Sequence, residues 1–138
     1  MERHKTYNSD YQFGFEKLNV WQDAKGLTNI IYKLTKKFPG DEKFVLTTQM
    51  RRAALSVCSN IAEGSSRKSQ KDQAHFYHMS YSSLMELFSQ CIIAKDQSYI
   101  NDEQLIECRK SINKTANMLN ALRNKCLKPK STIKQLNN

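Results

Sequence analysis

Apolar residues along this chain recur at steps of three and four, the spacing of one face of an α-helix, in four successive blocks. In the first, Val20, Ala24, Leu27, Ile31, Leu34 and Phe38 form a seam of the coiled-coil type, with Trp21 beside it. It predicts a helix over residues 17–37, stopped by Pro39-Gly40. The second block carries Leu46, Met50, Ala53, Val57, Ile61 and Gly64 and predicts a helix over 41–64. Asp41 and Glu42 favour its start, and Gly64 reads as a left-handed cap residue at its end. The fourth block begins at Asn101 and carries Leu105, Cys108, Ile112, Thr115, Leu119, Leu122 and Cys126, a helix over 102–126. Short connections between long helices dictate antiparallel neighbours. The expected fold is therefore all-α, an antiparallel up-down-up-down four-helix bundle over residues 16–127. A flexible arm over 1–15 precedes it, and a disordered basic tail over 128–138 follows, broken from the helix by Pro129.

The third block, over 70–98, has a different pattern. Ser69 followed by Asp72 resembles a capping box. Between Gln73 and Ala94 the one formally charged residue is Glu86. Two apolar or small stripes lie side by side: Phe76, Ser80, Ser83, Leu87, Cys91 and Ala94, then Tyr77, Tyr81, Leu84, Phe88 and Ile92. A helix in a lone bundle needs one apolar face, so the second stripe is the expected interface with another copy of the chain. The second block also carries a polar stripe, Gln49, Arg52, Ser56, Asn60, Glu63 and Arg67. Two readings of it stand. It is a hydrogen-bonded seam between helices, with Gln49, Arg52, Ser56, Asn60, Glu63 and Glu86 as a structural network, or it is a recognition surface. A buried Glu86 needs a cation, and Arg52, with Arg51 beside it, is the expected partner, within the chain or across a subunit interface.

Charge adds a direction to this picture. The 138 residues carry a formal net charge of +9, unevenly placed. Residues 104–138 hold eight Lys/Arg against the single acid Glu107, while the first 103 hold fourteen against twelve. Such a surplus suits a polyanion, most often nucleic acid. The candidate binding residues are Arg109, Lys110, Lys114, Arg123, Lys125 and Lys128, with Arg51, Arg67 and Lys68 next. Asn113, Asn117, Asn120 and Asn124 form a neighbouring stripe that reads as a solvated or inter-subunit seam, or as hydrogen-bonding groups for sugar and base edges.

Catalytic chemistry finds little support. A di-iron bundle needs two Glu-x-x-His motifs, and the chain offers Asp72-x-x-His75 once with no His beyond His78. His75 and His78 lack acidic companions, so no metal and no cofactor are expected. Ser56 and Ser59 have no His at a helical neighbour position, and there is no Gly-rich phosphate loop. The Arg-x4–6-His pattern of helical ribonucleases is missing as well. Cys58, Cys91, Cys108 and Cys126 show no Cys-x-x-Cys spacing and read as small buried hydrophobes of a reducing compartment. With no apolar leader and no membrane-length segment, a cytoplasmic non-enzyme is expected.

Residues 15–67 carry a more specific signal. FEKLNVWQDA, the Phe38-Pro39 break and QMRRAALSVCSNIAEGSSR resemble the bacterial four-helix-bundle proteins encoded within intervening sequences of 23S ribosomal RNA genes, also labelled S23 ribosomal proteins. The signature is Arg51-Arg52-Ala53-Ala54, Ser56, Asn60-Ile61-Ala62-Glu63-Gly64 and Arg67. Val57, where Ile is commoner, and the serines Ser80, Ser82 and Ser83 depart from it. The same superfamily includes the accessory proteins of diversity-generating retroelements. The resemblance implies a homopentamer with a central channel that binds nucleic acid through basic surface, and no catalytic residues. Two functions follow as expectations: a weakly sequence-specific RNA- or DNA-binding oligomer, or a protein-interaction scaffold such as a reverse-transcriptase accessory subunit.

Overall fold

The structure, a computed structural model, describes residues 9–128, so positions 1–8 of the expected arm and 129–138 of the expected tail lie outside it. Four α-helices run in order: α1 (Asn19–Thr35), α2 (Leu46–Ser66), α3 (Gln70–Asp96) and α4 (Asp102–Leu127). Short 3-10 turns at Gly14–Lys17 and Gly40–Glu42 precede α1 and α2. The first of these packs on α1 and α2, with Phe15 edge-on to Trp21 at 5.0 Å, so part of the expected arm is tied to the bundle.

Each helix packs on its neighbour in sequence, and α1 also packs on α4, which closes the ring of four. The three residues between α2 and α3 reach about 10 Å when extended, far less than the 21-residue α2. Two packed helices joined so tightly must run antiparallel. Local chemistry fixes two of the starts. Asn101 Oδ1 accepts from Gln104 N at 2.8 Å, and Gln104 Oε1 accepts from Asn101 N at 2.9 Å. At α3, Ser69 Oγ accepts from Asp72 N at 3.1 Å, which is one half of the expected box.

The core follows the predicted stripes of α1, α2 and α4 closely. All six seam residues of α1 are buried, as are Met50, Ala53, Val57, Ile61 and Gly64 of α2 and Cys108, Ile112, Thr115 and Leu119 of α4. Buried hydroxyls find acceptors. Thr28 and Thr35 donate to the carbonyls of Ala24 and Ile31, and Ser80 crosses to Val57 O at 2.8 Å. Cys91 shares a side-chain hydrogen bond with Cys108 across α3 and α4, and that bond together with burial raises the Cys91 thiol well above its usual range.

Three expectations fail against the structure. The buried seam of α3 is Tyr77, Ser80, Leu84, Leu87, Cys91 and Ala94, drawn from both stripes, so Tyr77 and Leu84 are core rather than free interface. Tyr81 and Phe88 are half-buried on its flank, and Ile92 is exposed. Gly64 does not end α2, which continues to Ser66, and no described glycine has positive φ. Its role is close approach, because a Cβ there would meet the Tyr77 ring at 2.7 Å. Glu86 is exposed within the chain, as is Arg52, and no ion pair joins them. Ser56 bonds Ser83 across α2 and α3, which puts positions 52 and 86 about level, yet within one chain the expected pair neither forms nor is buried. Glu86 Oε1 instead accepts from Gln90 Nε2 at 3.4 Å.

Candidate nucleic-acid interface

Positions three and four apart share a helix face, so Arg109, Asn113, Asn117, Asn120 and Asn124 form one flank of α4 and Lys114 and Lys125 the other. All seven are exposed. Lys110 lies between the flanks and is exposed too, while Arg123 is half-buried. On the α1 side, Lys114 Nζ pairs with Asp23 Oδ1 at 3.5 Å. On the α3 side, the Arg109 guanidinium lies over the Phe88 ring at 4.6 Å. A cation over a ring face is attracted by the ring quadrupole and keeps its in-plane donors for other partners.

The flank of Arg109 and the asparagines borders a groove of about 570 Å³ between α3 and α4. Tyr81, Met85 and Phe88 line its α3 side, and Arg109, Lys110, Asn113, Asn117 and Asn120 its α4 side. Among the described residues no carboxylate lines it. Tyr81 and Phe88 of the stripe expected to bind another copy thus face Asn113, Asn117 and Asn120 of the asparagine stripe across a single concavity. Sequence spacing places each on its own helix, but only the antiparallel packing of α3 and α4 brings them together.

The second set of cations is divided. Arg51 turns to α1, where its Nε donates to Thr35 Oγ1 at 2.9 Å and its guanidinium covers Tyr32 at 4.6 Å. Arg67 and Lys68 sit on the α2–α3 connection, with the Arg67 guanidinium over Phe76 at 4.4 Å. Gln73 Nε2 donates to Arg67 O at 2.9 Å, and Gln73 Oε1 accepts from Cys126 Sγ at 3.5 Å. These bonds put Arg67 and Lys68 at the end of the bundle where α4 finishes with Lys125 and Lys128. Lys71, in the first turn of α3, joins them there; the charge surplus over residues 104–138 does not point to it, because it lies in a charge-balanced part of the sequence.

The α2 polar stripe behaves as a seam only at its centre. Ser56 Oγ and Ser83 Oγ bond at 2.8 Å, and Asn60 Nδ2 donates to Ser56 O at 2.9 Å. Gln49, Arg52 and Glu63 are exposed. Among the described residues no three of His, Cys, Asp and Glu stand together as a metal site, and no helix is long and apolar enough to cross a membrane.

No curated protein matches the chain. The bundle is similar to the 1.70 Å crystal structure of a protein of unknown function from the S23 ribosomal protein family of Bacteroides thetaiotaomicron. The TM-score is 0.70 at 20% identity, covering 75% of this chain and 97% of that one, a likeness of fold. The family model described as "23S rRNA-intervening sequence protein" matches residues 16–121, a span that reaches into all four helices. On that match, the chain belongs to the 23S rRNA-intervening sequence protein family.

Proposed function

We propose that the chain is a non-enzymatic nucleic-acid-binding protein that acts as a homo-oligomer and contacts phosphates of RNA or DNA with little sequence reading. The observation that carries this is the exposed face of α4. Arg109, Lys110, Lys114, Lys125 and Lys128 stand along it and run into Arg67, Lys68 and Lys71 at the end of the bundle, with Glu107 as the one acid between Gln104 and Lys128. Phosphate contacts of this kind position a protein on nucleic acid and give affinity that falls steeply with salt. Apolar side chains outside the α3–α4 groove support self-association, in particular exposed Leu55 on α2 and Ile93 on α3. Five copies is the number that the resemblance implies. Several copies would multiply a weak contact through avidity.

A salt series of binding to single-stranded RNA and to duplex DNA tests the reading. Each phosphate contact contributes close to one unit to the slope of log affinity against log salt. Reversal of Arg109, Lys110 and Lys125 to Glu should flatten that slope by about two to three units and weaken all sequences alike. An unchanged slope would overturn the assignment. Sedimentation should give a mass several times 16.0 kDa, and a monomer at micromolar concentration would remove the oligomer.

One observation favours a second reading, a scaffold for a protein partner. Phe44 and Val45, just before α2, are 81% and 61% exposed. A partner seated there would bind equally well after nuclease treatment, and Phe44→Asp would release it.

A further inference from the structure

We infer that the groove between α3 and α4 receives unpaired nucleobases of a single strand, a reading that rests on the phosphate-binding function proposed above and gives it a substrate class. The groove combines three kinds of group. Tyr81 and Phe88 line it from α3, two helical turns or about 10.5 Å apart. That is close to three steps of a strand at about 3.4 Å per nucleotide. The Arg109 guanidinium lies over the Phe88 ring at 4.6 Å, and an arginine plane is itself a group on which bases stack. Opposite, Asn113, Asn117 and Asn120 offer both donors and acceptors, the complement of base edges. Because Arg109 sits level with Phe88 on antiparallel helices, Asn117 falls about level with Tyr81.

Charge selects the occupant. Arg109 and Lys110 flank the groove and no carboxylate of the described residues lines it, so its rim suits a phosphodiester chain while its floor suits flat, partly apolar groups. A volume of about 570 Å³ is within the range of small-molecule sites and admits a base with its sugar. Paired bases cannot use it, since their faces are covered by neighbours in the stack and must first be turned out. Single strands expose those faces at no such cost, and stacking on aromatic and arginine planes is tolerant of sequence. This agrees with binding that reads little sequence.

The test separates bases from phosphates. A fluorescein-labelled fifteen-residue oligothymidylate, a strand of equal length whose sugars are abasic tetrahydrofuran units, and a duplex of the same length are titrated against the full chain by anisotropy. The base-bearing strand should bind about tenfold or more tighter than the abasic one, since even one stacked base is worth that much. Asn113, Asn117 and Asn120 are exposed on a helix, so replacing all three with Ala keeps the fold. That variant should lose the hydrogen-bonded share of the preference, keep the share due to stacking, and keep its affinity for the abasic strand. Equal affinity for the two strands, or preference for duplex, would overturn the groove assignment and leave the electrostatic reading standing. No binding of any strand would overturn both. A change of oligomer mass in the alanine variant, seen by sedimentation, would assign the groove to a second copy instead.

Discussion

Gly64 lies inside α2 with ordinary helical backbone, and an added Cβ would stand 2.7 Å from Tyr77 Cε1 and 3.0 Å from both Tyr77 Cδ1 and Phe76 Cβ. The Tyr77 ring is buried, and Phe76 Cβ is fixed to its backbone, so neither swings aside. The helices α2 and α3 must part instead. Gly26, in α1, is exposed and has nothing within 4 Å of such a Cβ. One chemical change at two sites therefore separates packing from propensity. At Gly26, replacement by Ala should stabilise by about 0.5–1 kcal/mol. At Gly64 the same gain applies, but overpacking costs about 1–3 kcal/mol, and contact with two unyielding groups places it at the upper end. Gly64→Ala should then be about 1–2 kcal/mol less stable than the parent, and about 2–3 kcal/mol less stable than Gly26→Ala. Urea melts followed by circular dichroism at one protein concentration measure this, the concentration being held because an oligomer's stability depends on it. Gly64→Ala as stable as Gly26→Ala would refute the close-packing argument.

Cys91 is held above the ordinary thiol value of 9.0 by its bond to Cys108 and by burial, and burial raises Cys58 as well. A raised folded-state value means that this contribution is complete below pH 9.0 and is lost as pH climbs past it, by up to about 1.4 kcal/mol per pH unit per thiol. The bond to Cys91 lowers Cys108, whose contribution has the opposite sign and is complete above the ordinary value, so the loss past it is that of Cys91 and Cys58. Thermal melts at about pH 8 and about pH 10 should show that loss, and Cys91→Ala should reduce the drop; an identical drop would refute the assignment. Arg51→Met removes the charge together with the Thr35 bond and the cation over Tyr32, so stability should fall by about 1–2 kcal/mol while the salt slope of nucleic-acid binding stays the same. A changed slope would return Arg51 to the phosphate-binding set.

The stripes of α1, α2 and α4 are legible because each of these helices shows apolar residues on one side and charge on the other. Val20 through Phe38 can be read straight into the core. In α3 that contrast is missing. The helix is wedged between α2 and α4, so its flanks are half-covered and Tyr81 and Phe88 are as apolar as the seam beside them. Small residues, Ser80 and Cys91, occupy the true seam where α2 and α4 come near, and size alone does not mark them as core. Gly64 is ambiguous for a related reason. A glycine near a helix end signals either a left-handed cap or a close approach, and the choice rests on Tyr77, thirteen residues away on another helix. The cations of α4 are visible as composition, whereas the groove they border depends on which helix lies alongside.

The near absence of charge in α3 follows from the same placement. Two of its half-buried rings each take a guanidinium from a neighbour, Phe76 from Arg67 at the end of α2 and Phe88 from Arg109 on α4. A charged side chain on α3 at those flanks would compete with these cations or repel them, and an aliphatic one would leave them unplaced. An aromatic ring meets both needs: it covers the core on its inner side and offers a negative face on its outer side. Arg51 shows the contrast. It also lies on a ring, but its Nε is spent on Thr35, so it closes the α1–α2 seam. Among the described residues neither Arg67 nor Arg109 makes a hydrogen bond of that kind to a neighbouring side chain. Their charge is positioned by α3 and turned outward, which is the arrangement a phosphate-binding surface requires.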